Sequence, residues 1–363
     1  MKRVSFIFLL VICSLAYAQK EKEKVIDSIV QSFAANHNFS GVVLIADNGK
    51  TKYEKAVGYR DFAKQIPLQK TDIFELASVS KQFTAMVIMM LKEKGVLQYD
   101  DLVEKYLNIP YKGISIRNLL THTSGLPDYQ SIMDAHWDKS KVAGNNDILA
   151  YLDQYKPASL FEPGTKYMYS NTGYVLLAII AEKASGRDFI EFCTTEIFRK
   201  LGMKHTAIRT LQEKAAVKNF ATGHIYVKEK NEFIRADSFP SSNYTIWLGN
   251  RKGPGRISST VEDLFKWDHA LYTEKLISKQ TLEEAFTPMI LKDGKISYYG
   301  FGWDIIVNDP SGKIVWHNGD NPGYKTEIMR FIGKNATLII LCNNYSDQFE
   351  KISKQLQTII TSQ

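Results

Sequence analysis

Asp47-Asn48-Gly49-Lys50 separates two strand-like runs, Gly41 to Ala46 and Thr51 to Gly58. Asn-Gly tolerates positive φ at both centre positions of a two-residue turn, so the stretch predicts a β-hairpin. Strand-forming residues return only late, from Gly300 to Asn343, and the chain between is rich in helix and loop patterns to about Gly253. An amphipathic helix near Val25 to Ala35 precedes the hairpin, and Asp347 to Ile360 reads as a closing helix. Such a sheet is assembled from both ends of the chain. The expected fold is therefore α/β of the α+β type, an antiparallel sheet flanked by helices plus a mainly helical region inserted between early and late strands. The sheet part is expected at about 19–77 and 254–363, the helical part at about 78–253. No internal repeat, low-complexity stretch or long linker points to a separate binding module.

Lys2 and Arg3 precede an apolar run from Val4 to Ala18, and Ala16-Tyr17-Ala18 fits a small-residue cleavage site. Residues 1–18 read as a secretory signal peptide, which implies an exported protein, periplasmic or secreted, with no stable membrane span after cleavage. Cys13 lies in this segment. The remaining 345 residues suffice for a large core. Losing Lys2 and Arg3 lowers the formal charge from +7 to +5, and no dense basic cluster suggests nucleic-acid binding. Cys193 and Cys342 fall in different predicted elements and are expected as buried thiols rather than a disulfide. No Cys-x-x-Cys, His-Glu-x-x-His or glycine-rich phosphate loop occurs, so neither metal nor cofactor is expected.

The chemistry is concentrated in Ser78-Val79-Ser80-Lys81. A buried helix is predicted through Phe83, Met86, Met90 and Leu91, ending at Lys94-Gly95, where glycine suits a C-terminal cap. Ser78 then sits at the helix N-terminus, where unpaired N–H groups and the helix dipole favour a developing oxyanion. Lys81 lies one turn away, placed to accept its proton. Two further elements follow in order. Tyr169-Ser170-Asn171 ends a turn-rich run that feeds an apolar helix from Val175 to Ala184, and is expected on a loop. His317-Asn318-Gly319 lies on a predicted strand, Lys313 to His317, followed by Gly319 and a second strand from Tyr324 to Phe331.

Together these residues resemble the serine β-lactamase and penicillin-binding-protein superfamily, in particular its class C β-lactamase-like branch of β-lactamase-related serine hydrolases. The resemblance extends to Gly95-Val96-Leu97, to Leu120-Thr121-His122-Thr123-Ser124-Gly125-Leu126 and to Tyr299-Gly300-Phe301-Gly302-Trp303. It implies a β-lactamase/transpeptidase-like fold with the active site at the junction of its two parts. It also implies Ser78, Lys81 and Tyr169 as catalytic residues. Asn171, His317, Gly319 and Asp320 would bind substrate, with the Ser78 and Asp320 peptide N–H groups facing the oxyanion and His317 near Tyr169. The substrate would be a small molecule or peptide, of cell-wall origin in some members of the branch.

An ordinary lysine titrates near ~10.4 and tyrosine near ~10, so a base at neutral pH requires a shift of roughly three units, about 4 kcal/mol. A coupled pair, in which cationic Lys81 favours tyrosinate at Tyr169, is the less demanding expectation. Two departures bear on the substrate. His317 stands where many members carry lysine, and Asp320 follows Gly319; a pocket-facing Asp320 carboxylate would repel carboxylate-bearing β-lactams. The expected activity is thus an esterase or a D-amino-acid peptidase or carboxypeptidase. A class C-like β-lactamase and a catalytically silent penicillin-binding or sensing protein are the alternatives, while the lack of Gly-x-Ser-x-Gly argues against an α/β-hydrolase.

Overall fold

The structure is a computed structural model and describes residues 20–362. The expected signal peptide and Cys13 lie outside the described residues. Helix α1 (20–35) precedes strands β1 (Gly41–Asp47) and β2 (Lys50–Val57). Asn48 and Gly49 turn the hairpin with φ of 48° and 67°, the left-handed pair that a two-residue turn needs. Later come β3 (Asp304–Ile306), β4 (Ile314–Asn321), β5 (Tyr324–Phe331) and β6 (Ala336–Cys342). Their order in one antiparallel sheet is β3-β4-β5-β6-β1-β2. The first strand thus pairs with the last, as a sheet assembled from both ends requires.

Alternation along β1 separates the two faces. Val43 and Ile45 pack with Ile26, Val30, Ile352 and Leu356, so α1 and the closing helix, Phe349–Thr361, cover one side. Val42 and Leu44 join Leu264 and Trp267 of the helix Val261–Ala270 on the other. Each fully buried side chain of this kind contributes about 1.5–3 kcal/mol relative to exposure. Arg330 of β5 crosses into that second layer, where its guanidinium meets buried Asp268 at 2.5 Å.

Helix α2 (Lys81–Glu93) is buried at every position from Lys81 to Leu91. Such a helix has no solvent face and must be surrounded, here by α3 (Asn171–Ser185) and the sheet-side elements. Gly95 closes it with φ 71°, as its sequence position predicts. Cys193 and Cys342 are both buried free thiols. Among the described residues no helix is long and apolar enough to cross a membrane.

Two expectations about local structure are corrected. Asn171 is the first residue of α3 rather than part of the loop, because Ser170 caps the helix by accepting from the Gly173 N–H at 3.2 Å. The strand that carries His317 does not end there, so Gly319 lies inside β4. The strand runs on to Asn321, and the turn is made at Pro322-Gly323, where Gly323 holds φ 79°.

Candidate active site

The Ser78 turn is shaped by its neighbours. Strand residues Phe74–Glu75 lead into a 3₁₀ turn, Ala77–Ser80, and then directly into α2. Ala77 carries φ 48°, uncommon for a residue with a side chain, and reverses the chain just before Ser78. Ser78 is left half-buried while Ala77, Val79 and Ser80 are buried. The sequence places Ser78 at the N-terminus of this helix; it stands there in a 3₁₀ turn, Ala77–Ser80, that runs directly into α2.

Lys81 has no exposed surface, and its amine reaches three acceptors: Ser78 Oγ at 2.9 Å, Asn171 Oδ1 at 2.9 Å and the Pro254 carbonyl at 3.0 Å. Burial, reinforced by the Arg251 charge, holds its pKa well below the usual lysine value. Tyr169 is 40 % exposed, its hydroxyl is close enough to Ser78 for that side chain to lower its pKa, and its ring lies 4.7 Å from the Lys81 nitrogen. Burial of that hydroxyl pushes its pKa up, against the smaller effect of Ser78. Both shifts run against the tyrosinate expected from a cationic lysine. The resting protons belong on tyrosine, with the amine displaced toward its neutral form.

β4 forms the opposite wall. Its pairing with β3 ends at Trp316, so His317 to Asn321 run on past the neighbouring strand toward the Ser78 turn. A Cβ at Gly319 would collide with the Leu76 carbonyl and with Thr326 Oγ1, so only glycine lets β4 approach the backbone that carries Ser78. His317 is buried, and its Nε2 lies 3.0 Å from the Tyr299 hydroxyl. Tyr299 is therefore its partner, rather than the expected Tyr169, whose ring centroid is 6.2 Å away. Burial and the nearby Lys81 charge lower the His317 pKa to about 3, so this wall is neutral at physiological pH.

Period-two alternation puts Asp320 on the side of exposed Asn318, opposite buried His317 and Gly319, and its carboxylate pairs with Lys325 at 2.5 Å. That ion pair offsets the charge expected to repel anionic ligands.

Three neighbours belong to the site although the sequence reading did not assign them to it. His122 is buried with φ 57°, and its Nδ1 accepts from the Ser170 N–H at 3.1 Å. Its ring lies 4.3 Å from Tyr169 and 4.5 Å from Tyr299, centroid to centroid. Tyr299 and Arg251 complete the set. His122 and Tyr299 stand in segments that carry the resemblance, and Arg251 lies in the loop Asn243 to Arg256, whose Trp247, Lys252, Pro254 and Gly255 mark it in the sequence as a border of the cleft; its partner Tyr129 is 122 positions away.

Comparison with known proteins adds an independent observation. The family model described as Beta-lactamase matches residues 26–358. The chain belongs to the beta-lactamase family. It is 41 % identical over 333 residues to Penicillin-binding protein 4* of Bacillus subtilis (strain 168), covering 91 % of this chain and 73 % of that protein. The solved structure of the octameric penicillin-binding protein homologue from Pyrococcus abyssi superposes with a TM-score of 0.80 at 27 % identity, covering 94 % of this chain and 77 % of the other. A D-amino acid amidase from Ochrobactrum anthropi SV3 shares the fold, with a TM-score of 0.76 at 23 % identity over 93 % of this chain and 99 % of that one. The chain is a serine hydrolase of the β-lactamase and penicillin-binding-protein superfamily, as its Ser-x-x-Lys, Tyr-x-Asn and His-x-Gly elements imply.

Proposed function

We propose that the protein is an exported hydrolase that opens an ester or amide through an acyl-enzyme at Ser78. The observation that carries this is the 2.9 Å contact between Ser78 Oγ and a fully buried Lys81 amine. With the amine neutral the bond reverses: the Ser78 hydroxyl donates to Lys81, whose own N–H groups still reach Asn171 and the Pro254 carbonyl. As the Ser78 oxygen–carbon bond forms, its proton moves to Lys81. The oxyanion lies between the peptide N–H groups of Ser78 and Asp320. When the bond to the leaving group breaks, that group takes the Tyr169 proton, and the Lys81 ammonium restores it. Water then attacks the acyl carbon, giving its proton to neutral Lys81, and Ser78 departs taking that proton back. In this assignment Lys81 is the base and Tyr169 the acid.

An esterase or a D-amino-acid peptidase or carboxypeptidase remains the reading of substrate class. The neutral His317 wall supports it, since it offers no fixed cation to the carboxylate of a β-lactam. The relative named a penicillin-binding protein and the fold neighbour named a D-amino acid amidase are in keeping with peptide-like amides. A fluorophosphonate probe followed by intact mass spectrometry tests the nucleophile. A panel of short-chain esters, D-amino-acid amides, D-Ala-D-Ala peptides and a chromogenic cephalosporin tests the class. Labelling at a residue other than Ser78 would overturn the assignment, and fastest turnover of the cephalosporin would favour the class C-like alternative.

A further inference from the structure

Beside the Ser78 turn lies a chamber of about 590 Å³. Its lining carries seven basic side chains against three acidic ones. Several of these are neutralised near the surface: Arg60 pairs with Asp72, Lys64 with Asp61 and Arg235 with Asp237. The excess lies deeper. Arg251 is 9 % exposed, Arg256 is 5 % exposed and Lys214 is largely covered, while Glu75, which Lys214 contacts, is the buried carboxylate among them. Arg256 gives one N–H to the Arg209 carbonyl at 2.7 Å, a neutral acceptor, and the Arg251 guanidinium donates to the Tyr129 hydroxyl. Arg251 Nε is buried without a hydrogen-bond partner among the described residues. Burial lowers the pKa of Arg256 and brings that of Lys214 to about 8, and in both Arg251 adds to the lowering against the opposing Glu75 carboxylate.

The backbone gives a second, independent sign. Arg256 holds φ 82°, a conformation that glycine adopts freely and that strains a residue with a side chain. Strain and the burial of surplus positive charge both oppose folding. An anion arriving in the chamber offsets the second, and a guanidinium fork fits a carboxylate well.

The chamber also lies at a definite end of the site. Its lining includes Glu75, three residues before Ser78, Arg251, and Asn321, next to Asp320. Tyr169 stands by His317, four residues earlier on β4 and so roughly 13 Å away at ~3.3 Å per residue. If Tyr169 delivers the proton to the leaving group, the acyl portion extends toward Asn321. Resting on the Ser78 acyl-enzyme reading, we infer that the chamber binds a carboxylate carried by the acyl portion of the substrate, with Arg256 and Arg251 as its specificity-determining residues.

Two measurements on the full chain test this. In the first, wild type and Arg256→Gly are titrated calorimetrically with glutarate and with uncharged glutaramide. Glycine relieves the positive φ, so the variant is expected to melt no lower than wild type, and Arg256→Gln keeps the side-chain bulk as a second variant. Glutarate binding should weaken at least tenfold in both variants, with wild type preferring glutarate to glutaramide. Equal glutarate affinity in wild type and both variants, or no preference for glutarate in wild type, would overturn the inference. In the second, kcat/KM is compared for p-nitrophenyl esters of hexanoate and of adipate, the latter ending in a free carboxylate. The adipate-to-hexanoate ratio should fall about tenfold in Arg256→Gly, and an unchanged ratio overturns the role in specificity. Arg256-dependent glutarate binding by a chain that neither takes a fluorophosphonate at Ser78 nor cleaves either ester would uphold the anion site and remove the hydrolase reading instead.

Discussion

The Lys81 amine lies 2.9 Å from Ser78 Oγ at the end of a side chain with no exposed surface. Because the Arg251 charge adds to the desolvation of that amine, the neutral form needed to receive a proton is favoured by the fold itself. Replacing Lys81 by arginine fixes a charge in the same place, and we expect a loss of at least a thousandfold in acylation rate. Stopped-flow acylation by a fluorophosphonate measures it; a loss under tenfold removes Lys81 as base.

Ser78→Ala should abolish labelling and turnover while leaving the melting temperature nearly unchanged. Ser78 makes no side-chain cap at the α2 terminus, so the substitution removes a reacting oxygen and little packing. Intact mass after probe treatment, with a thermal melt on the same sample, decides this.

Tyr169→Phe and Lys81→Ala should each slow the chemical step strongly, and the double variant should be little worse than either. The amine contacts the serine oxygen and the Tyr169 hydroxyl lies beside it, so the two pass one proton around a single unit. Single-turnover rates for the four proteins complete the cycle. Free-energy losses that add in full would mean that the groups act separately.

His317 should make acid stability pH-dependent. Its folded pKa is about 3, below an unfolded value near ~6.5, so between those limits the unfolded chain binds the extra proton. Stability therefore falls as pH drops from 6.5 toward 3, by at most roughly 1.4 kcal/mol per pH unit from this group. In His317→Asn the slope of urea-unfolding free energy between pH 6.5 and 4.5 should be shallower than in wild type. An identical slope would show that the ring is charged when folded.

Gly319→Ala and Asp320→Ser separate the two faces of β4. The alanine methyl would strike the Leu76 carbonyl and displace the Ser78 turn, lowering kcat/KM by more than a hundredfold and stability by about 1–3 kcal/mol. The Asp320 carboxylate is paired with Lys325, which offsets its charge, so the serine should leave the cephalosporin-to-ester ratio of kcat/KM within twofold of wild type. A larger change at low salt would place that carboxylate in the cleft.

Local chemistry by itself determined much of this protein. The Asn48-Gly49 turn, the capped end of α2 at Gly95, the early and late strands and the Ser78-x-x-Lys81 spacing each depend on a few adjacent residues, and each is found where its chemistry places it. Period-two alternation also carried the orientation of Asp320, but only once the strand was known to run through Gly319 to Asn321. What lay beyond reach was long-range proximity and its electrostatic consequence. Lys81 meets the Pro254 carbonyl 173 positions away, and His317 turns to Tyr299 because the fold brings that hydroxyl to its Nε2. The protonation states follow from those contacts, because the desolvation of Lys81, Tyr169 and His317 depends on what the whole chain packs around them, and no neighbouring residue in the sequence supplies it.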